Sequence, residues 1–127
     1  MAVDASRWRA NACEIIGSVA DENFQRDAWF GKGRFISSPE EIYNQVFSDL
    51  AFEEFISSPD IALNDLQRAA ANKLVSKMNY FEKIVGRNWS PENVIDHPVW
   101  REVRQAARQV LDVFQCLALP RASDDYL

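Results

Sequence analysis

The chain contains a single histidine, two cysteines and four glycines, and each shortage closes off a class of chemistry. His97 alone, with Cys13 and Cys116 near opposite ends of the chain, cannot supply the ligand set of an ordinary zinc site. A carboxylate-only metal site around Asp49, Glu53 and Glu54 lacks the Glu-x-x-His pairs of di-iron bundles. Gly31-Lys32-Gly33 is not a phosphate loop, because the spacing is wrong and no Ser or Thr follows the lysine. No stretch approaches the roughly eighteen consecutive apolar residues that a membrane span needs. Met1 to Arg9 shows no basic region followed by an apolar run, so no secretory signal is expected and the expected address is the cytoplasm. In that reducing compartment Cys13 and Cys116 read as buried thiols, small hydrophobes and not a disulfide.

What is present is apolar and aromatic. The 127 residues are 47% hydrophobic and include eight Phe, four Trp and three Tyr, enough for one core without a metal or disulfide staple. The net charge of −5 disfavours the phosphate backbone, so nucleic acid is an unexpected partner. The acidity is local. Glu40, Glu41, Asp49, Glu53, Glu54 and Asp60 fall in one stretch, and no Lys or Arg occurs between Arg34 and Arg68.

Proline marks the expected helix starts. Ser38-Pro39-Glu40-Glu41 combines an N-cap serine, proline at the first helical position and a capping-box glutamate. Ser58-Pro59-Asp60 and Ser90-Pro91-Glu92 repeat the pattern, and Asp96 or His97 caps a helix from Pro98. Between these marks, apolar residues recur three and four apart. Trp8, Ala12, Ile15, Ile16 and Val19 predict a helix over about 4–29, with Asp21 as a possible break or second start. Further helices are predicted near 39–56, 59–85, 91–95 and 98–118, the last carrying Val99, Val103, Ala106, Val110, Phe114 and Leu117. Gly86 suits a helix C-cap. Gly33 to Ile36 is the best strand candidate and too short to build a sheet. The expected fold is all-α, a single-domain bundle of four to five helices over 1–127 with short loops and a frayed tail at 121–127.

Within that fold, an enzyme would have to centre on His97, oriented by a neighbouring carboxylate, or on the carboxylates of the second predicted helix. No nucleophile accompanies either, so His97 reads as a cap, and no catalytic residue, metal or cofactor is expected. Gln45, Asp49 and Glu53 fall four apart, and Glu41 extends the stripe, with Glu54 and Asp60 beside it. These acids read as a docking face for a basic protein, or as a solvated face paired with Lys73, Lys77 and Lys83. Tyr43 lies near the same face by helical spacing and ranks below the acids, since it fits the core equally well. The aromatics Trp29, Phe30 and Phe35 in a glycine-containing loop either plug the end of the bundle, the favoured reading, or present a hot-spot aromatic to a partner. Arg101, Arg104 and Arg108 read as a solvated basic stripe.

The runs Phe24-Gln25-Arg26-Asp27-Ala28-Trp29-Phe30-Gly31, Ser37-Ser38-Pro39-Glu40-Glu41-Ile42-Tyr43 and Asp49-Leu50-Ala51-Phe52-Glu53-Glu54-Phe55 resemble small bacterial immunity proteins of the contact-dependent growth inhibition kind. The similarity is one of texture and covers roughly residues 24 to 56. It implies a cytosolic protein that binds a cognate toxin domain, often a basic nuclease, and blocks its activity. The partner surface to test is then Asp49, Glu53, Glu54, Asp60, Glu41 and Tyr43. A helical adaptor or regulatory protein binding some other partner is the alternative.

Overall fold

The computed structural model describes residues 4–116, all of whose regular structure is helical. Seven α-helices occur in the order α1 (Ala5–Ala20), α2 (Glu22–Trp29), α3 (Pro39–Asn44), α4 (Phe52–Ser57), α5 (Asp65–Val85), α6 (Pro91–Ile95) and α7 (Pro98–Val113), with a π-helical turn at Gln45–Asp49 between α3 and α4. The strand candidate at Gly33–Ile36 is loop. No helix among the described residues is long and apolar enough to cross a membrane. Leu117 and the tail at 121–127 lie outside the described residues.

The predicted helix over 4–29 is two helices. Asp21 is extended, ends α1 and caps α2, its carboxylate accepting from the Phe24 N–H at 2.9 Å. The predicted helix over 39–56 also breaks. Ser38 caps α3 as its sequence requires, accepting from the Glu41 N–H. The ladder then widens until the Leu50 N–H donates to the Gln45 carbonyl at 2.8 Å, and Ala51 is left-handed at φ +54°. The Leu50 carbonyl is taken by the Trp8 indole N–H at 2.7 Å, which removes it from any helical ladder. The turn lets Leu50, Phe52, Phe55 and Ile56 all reach the interior, which one continuous helix could not arrange.

The helix predicted from Pro59 begins at Asp65 instead. Ser58 Oγ accepts from the Asp60 N–H in a tight turn, and Ala62 adopts φ +55°. This irregular stretch buries Ile61 and Leu63, and the actual start is a reciprocal capping box between Asn64 and Gln67. Gly86 closes α5 at φ +60°, a conformation that favours glycine. His97 caps α7, its Nδ1 accepting from the Val99 N–H. α7 stops at Val113, short of the predicted 118, and Gln115 turns left-handed at φ +57°.

α7 is the central element, packed against α5 on one side and α1 on the other. Ala12, Ile16 and Val19 of α1, Leu74, Met78 and Phe81 of α5, and Val103, Ala107 and Val110 of α7 form the core. Trp100 sits within ring-contact distance of Trp29, Tyr43 and Phe81. The segment just after the C-terminal end of α7 also carries a correction. Cys13 and Cys116 are joined as a disulfide, with Cα atoms 5.7 Å apart, and are not the separate thiols the sequence suggested. The left-handed turn after α7 brings Cys116 back to α1. A bond of this kind belongs to oxidising surroundings and weighs against the cytoplasmic expectation.

Candidate functional site

The predicted acidic face lies on the irregular stretch. Glu41 is in the first turn of α3, Asp49 ends the π turn, Glu53 and Glu54 open α4, and Asp60 follows in the turn beyond; all five are exposed. None forms an ion pair among the described residues, and the expected pairing with lysines of α5 is absent, since Lys77 binds Glu102 of α7 at 2.6 Å. The break at Leu50–Ala51 means that Asp49 and Glu53 do not share one helical stripe with Gln45. They stand on consecutive short pieces over an apolar floor of Val46, Leu50, Phe52, Phe55, Ile56 and Ile61. The backbone of the segment is pinned from α1, by Trp8 at Leu50 and by Arg9, whose guanidinium donates to the Ile61 carbonyl. Fixed unpaired carboxylates of this sort attract cations and steer basic partners.

Tyr43 is not on that face. It is 8% exposed, donates its hydroxyl to the Met78 carbonyl at 2.8 Å and meets Trp89 edge-on. Burial, with the charge of Glu82 adding to it, pushes its phenol far above the usual range. The residue that sequence reasoning ranked last belongs to the core.

The arginine stripe of α7 is only partly solvated. Arg104 is 2% exposed. Its Nη1 donates to Gln25 Oε1 at 3.2 Å and to the Ile95 carbonyl at 3.1 Å, and Nη2 faces Glu22 at 3.7 Å. Burial pulls its pKa down, opposed by Glu22. Gln25, fully buried, accepts from Trp100 Nε1 at 3.0 Å and donates to the carbonyls of Ser18 and Val19. Arg108 donates to the Ala20 carbonyl. The network thus receives the C-terminal carbonyls of α1 at the Asp21 break. Sequence reasoning missed Gln25 and placed Arg104 outside. The available signal was that Trp100, Arg104 and Ala107 share one helical face.

At the rim of this network, Arg26 bridges Glu22 and Asp96 at 2.7 and 2.6 Å. The hydrogen bond from Arg26 holds each carboxyl below its usual range. Asp96 therefore serves Arg26 and does not orient His97, whose ring instead meets Phe81 edge-on at 5.0 Å. In the loop after α2 the expected core plug is divided: Trp29 is buried and Phe30 half-buried, while Phe35 is 44% and Ile36 83% exposed. The Arg34 guanidinium lies 5.7 Å from the Phe35 ring centre.

A cavity of about 240 Å³ adjoins the disulfide, lined by Arg9, Cys13, Phe55, Leu63, Gln67 and Phe114. Its polar groups are engaged elsewhere: Arg9 with Ile61, and Gln67 with Asn64 and the Val113 carbonyl. No group of three His, Cys, Asp or Glu side chains among the described residues is placed to hold a metal ion. The exposed carboxylates of the α3–α4 segment and the turn after it are the candidate site.

No curated protein and no solved structure matches the chain. Residues 3–119 match the family described as Domain of unknown function (DUF7945), and the chain belongs to that family.

Proposed function

We propose that this protein is a non-catalytic binding domain that takes a basic protein on the face formed by Glu41, Asp49, Glu53, Glu54 and Asp60. One observation carries the reading. These five exposed carboxylates form no ion pair among the described residues, whereas Glu22, Asp96 and Glu102 are held by Arg26 and Lys77. Unpaired like charges gathered on one segment repel one another, and a cationic partner relieves that repulsion. The resemblance to immunity proteins of contact-dependent growth inhibition makes a toxin domain, a basic nuclease, the specific partner we propose, with inhibition by covering its substrate cleft. A cytoplasmic meeting place goes with that partner. There the Cys13–Cys116 bond would be reduced, so its redox state in cells bears directly on this part of the proposal.

The test is a titration against the C-terminal domain of the protein encoded beside this chain, at low and moderate salt. Glu53→Lys/Glu54→Lys should weaken binding by about tenfold or more, ~1.4 kcal/mol, and the effect should shrink as salt rises. Unchanged affinity in a folded Asp49→Ala/Glu53→Ala/Glu54→Ala/Asp60→Ala variant would remove the acidic face from the interface.

A further inference from the structure

Helix α5 carries two stripes, and the fold uses one. Ala71, Leu74, Met78 and Phe81 are buried against the core. A second set, Leu66, Ala70, Lys73, Lys77, Tyr80 and Ile84, recurs at alternating spacings of four and three residues. That is the seam along which one helix accepts another. Its ends are apolar and open: Leu66 is 68%, Tyr80 54% and Ile84 43% exposed. Exposed large side chains aligned in this way mark a docking surface more than scattered ones do. The middle of the seam is cationic. Lys73 is exposed with no ion pair among the described residues, and Lys77 reaches only the half-exposed Glu102.

The cations decide what fits. A second copy laid on the stripe about a two-fold axis contacts the same patch on both chains, so it would set the central lysines against each other. Like charges brought together at an interface oppose association. A helix with carboxylates at its middle and aliphatic residues at both ends matches the stripe in charge and shape. We propose that the outer stripe of α5 docks an acidic amphipathic helix of another protein. This surface is opposite in sign to the acidic face and lies on a different element, so the two readings stand or fall separately.

The probe is a synthetic stapled peptide about three heptads long, with leucine at the outer seam positions and glutamate at the central ones, titrated into the full chain by fluorescence anisotropy. Saturable binding is expected. Tyr80→Ser/Ile84→Ser should weaken it by about tenfold or more, as truncating an apolar anchor does. Lys73→Glu should weaken it too, and the same variant should gain affinity for a peptide with lysine in place of the glutamates. This charge swap removes no buried side chain and keeps the test valid if the double variant loses stability. Absence of saturable binding, equal binding of a scrambled peptide, or no response to any variant would overturn the proposal. So would a concentration-dependent dimer that Tyr80→Ser/Ile84→Ser abolishes, since that outcome assigns the stripe to a second copy.

Discussion

The two ends of α1 treat charge in opposite ways. At its C-terminal end, Gln25, Trp100, Arg104 and Arg108 form a polar network that is largely buried and answers the carbonyls of Ser18, Val19 and Ala20. Near its N-terminal end, Trp8 and Arg9 hold the α3–α4 segment and the turn after it by two backbone carbonyls, the floor beneath is apolar, and the carboxylates above it are exposed and form no ion pair among the described residues. A buried charge is tolerable only with hydrogen bonds made, and in the first region Arg104 makes them to Gln25 and the Ile95 carbonyl. The second keeps its charges in water, where they cost little and remain available. Polar residues are buried scaffold in one region and solvent-exposed surface in the other.

The largest effect expected is on the disulfide, which adjoins the acidic end through the cavity wall it shares with Phe55 and Leu63. The bond closes a loop with a sequence separation of 103, and the chain-entropy account gives about 4–5 kcal/mol for a loop of that length. Cys13→Ser/Cys116→Ser, or full reduction, should lower urea stability by that order. Hydrogen exchange should accelerate first in α4 and the turn after it, and last around Gln25. Uniform acceleration would show that the two ends are one cooperative unit.

Gln25→Leu comes next. It takes the acceptor from Trp100 Nε1 and from one Arg104 N–H and removes the donor that reaches the Ser18 and Val19 carbonyls, a cost of about 2–4 kcal/mol by the usual penalty for disrupting buried hydrogen bonds. The same denaturation measurement on Glu53→Gln/Glu54→Gln should show a change within about 0.5 kcal/mol, as for exposed positions generally. Similar losses in both variants would erase the contrast between scaffold and surface.

A smaller effect of opposite sign is expected at Ala51. Its φ of +54° costs an L-residue about 1 kcal/mol, which Ala51→Gly removes while adding freedom to the unfolded chain. The net gain should be about 0.5 kcal/mol, read as a higher urea midpoint. A loss would mean that the methyl packs productively in the turn.

The smallest effect is acid sensitivity. Glu22 and Asp96 have folded pKa values below their unfolded ones. Their contribution is therefore complete above the ordinary carboxylate range, about pH 4, and fades as pH falls through the lowered values. Arg26→Ala should lower the neutral plateau only slightly, because these groups are exposed, and should flatten the decline below about pH 4, so that variant and wild type converge in acid.

Much of the local structure was legible because it depends on neighbours in sequence. Ser38, Ser90 and His97 cap where they were expected to, Gly86 closes α5, and Asp21 divides the first helical run. The Ser58-Pro59 start failed because an identical local signal also makes a tight turn, and burying Ile61 and Leu63 needed the turn. The break at Leu50–Ala51 was invisible because its cause, the Trp8 indole, lies 42 residues away.

The candidate site divides along the same line. Sequence by itself determined that the chain is helical and that its acids collect between Arg34 and Arg68, since periodicity, capping and charge are properties of the linear order. Tertiary structure alone decided that Tyr43 is core, that Arg104 is inside, that Cys13 meets Cys116 and that Asp49 and Glu53 stand on separate pieces of helix. Each of those outcomes depends on which distant group occupies the space beside a residue, and only the packed chain fixes that.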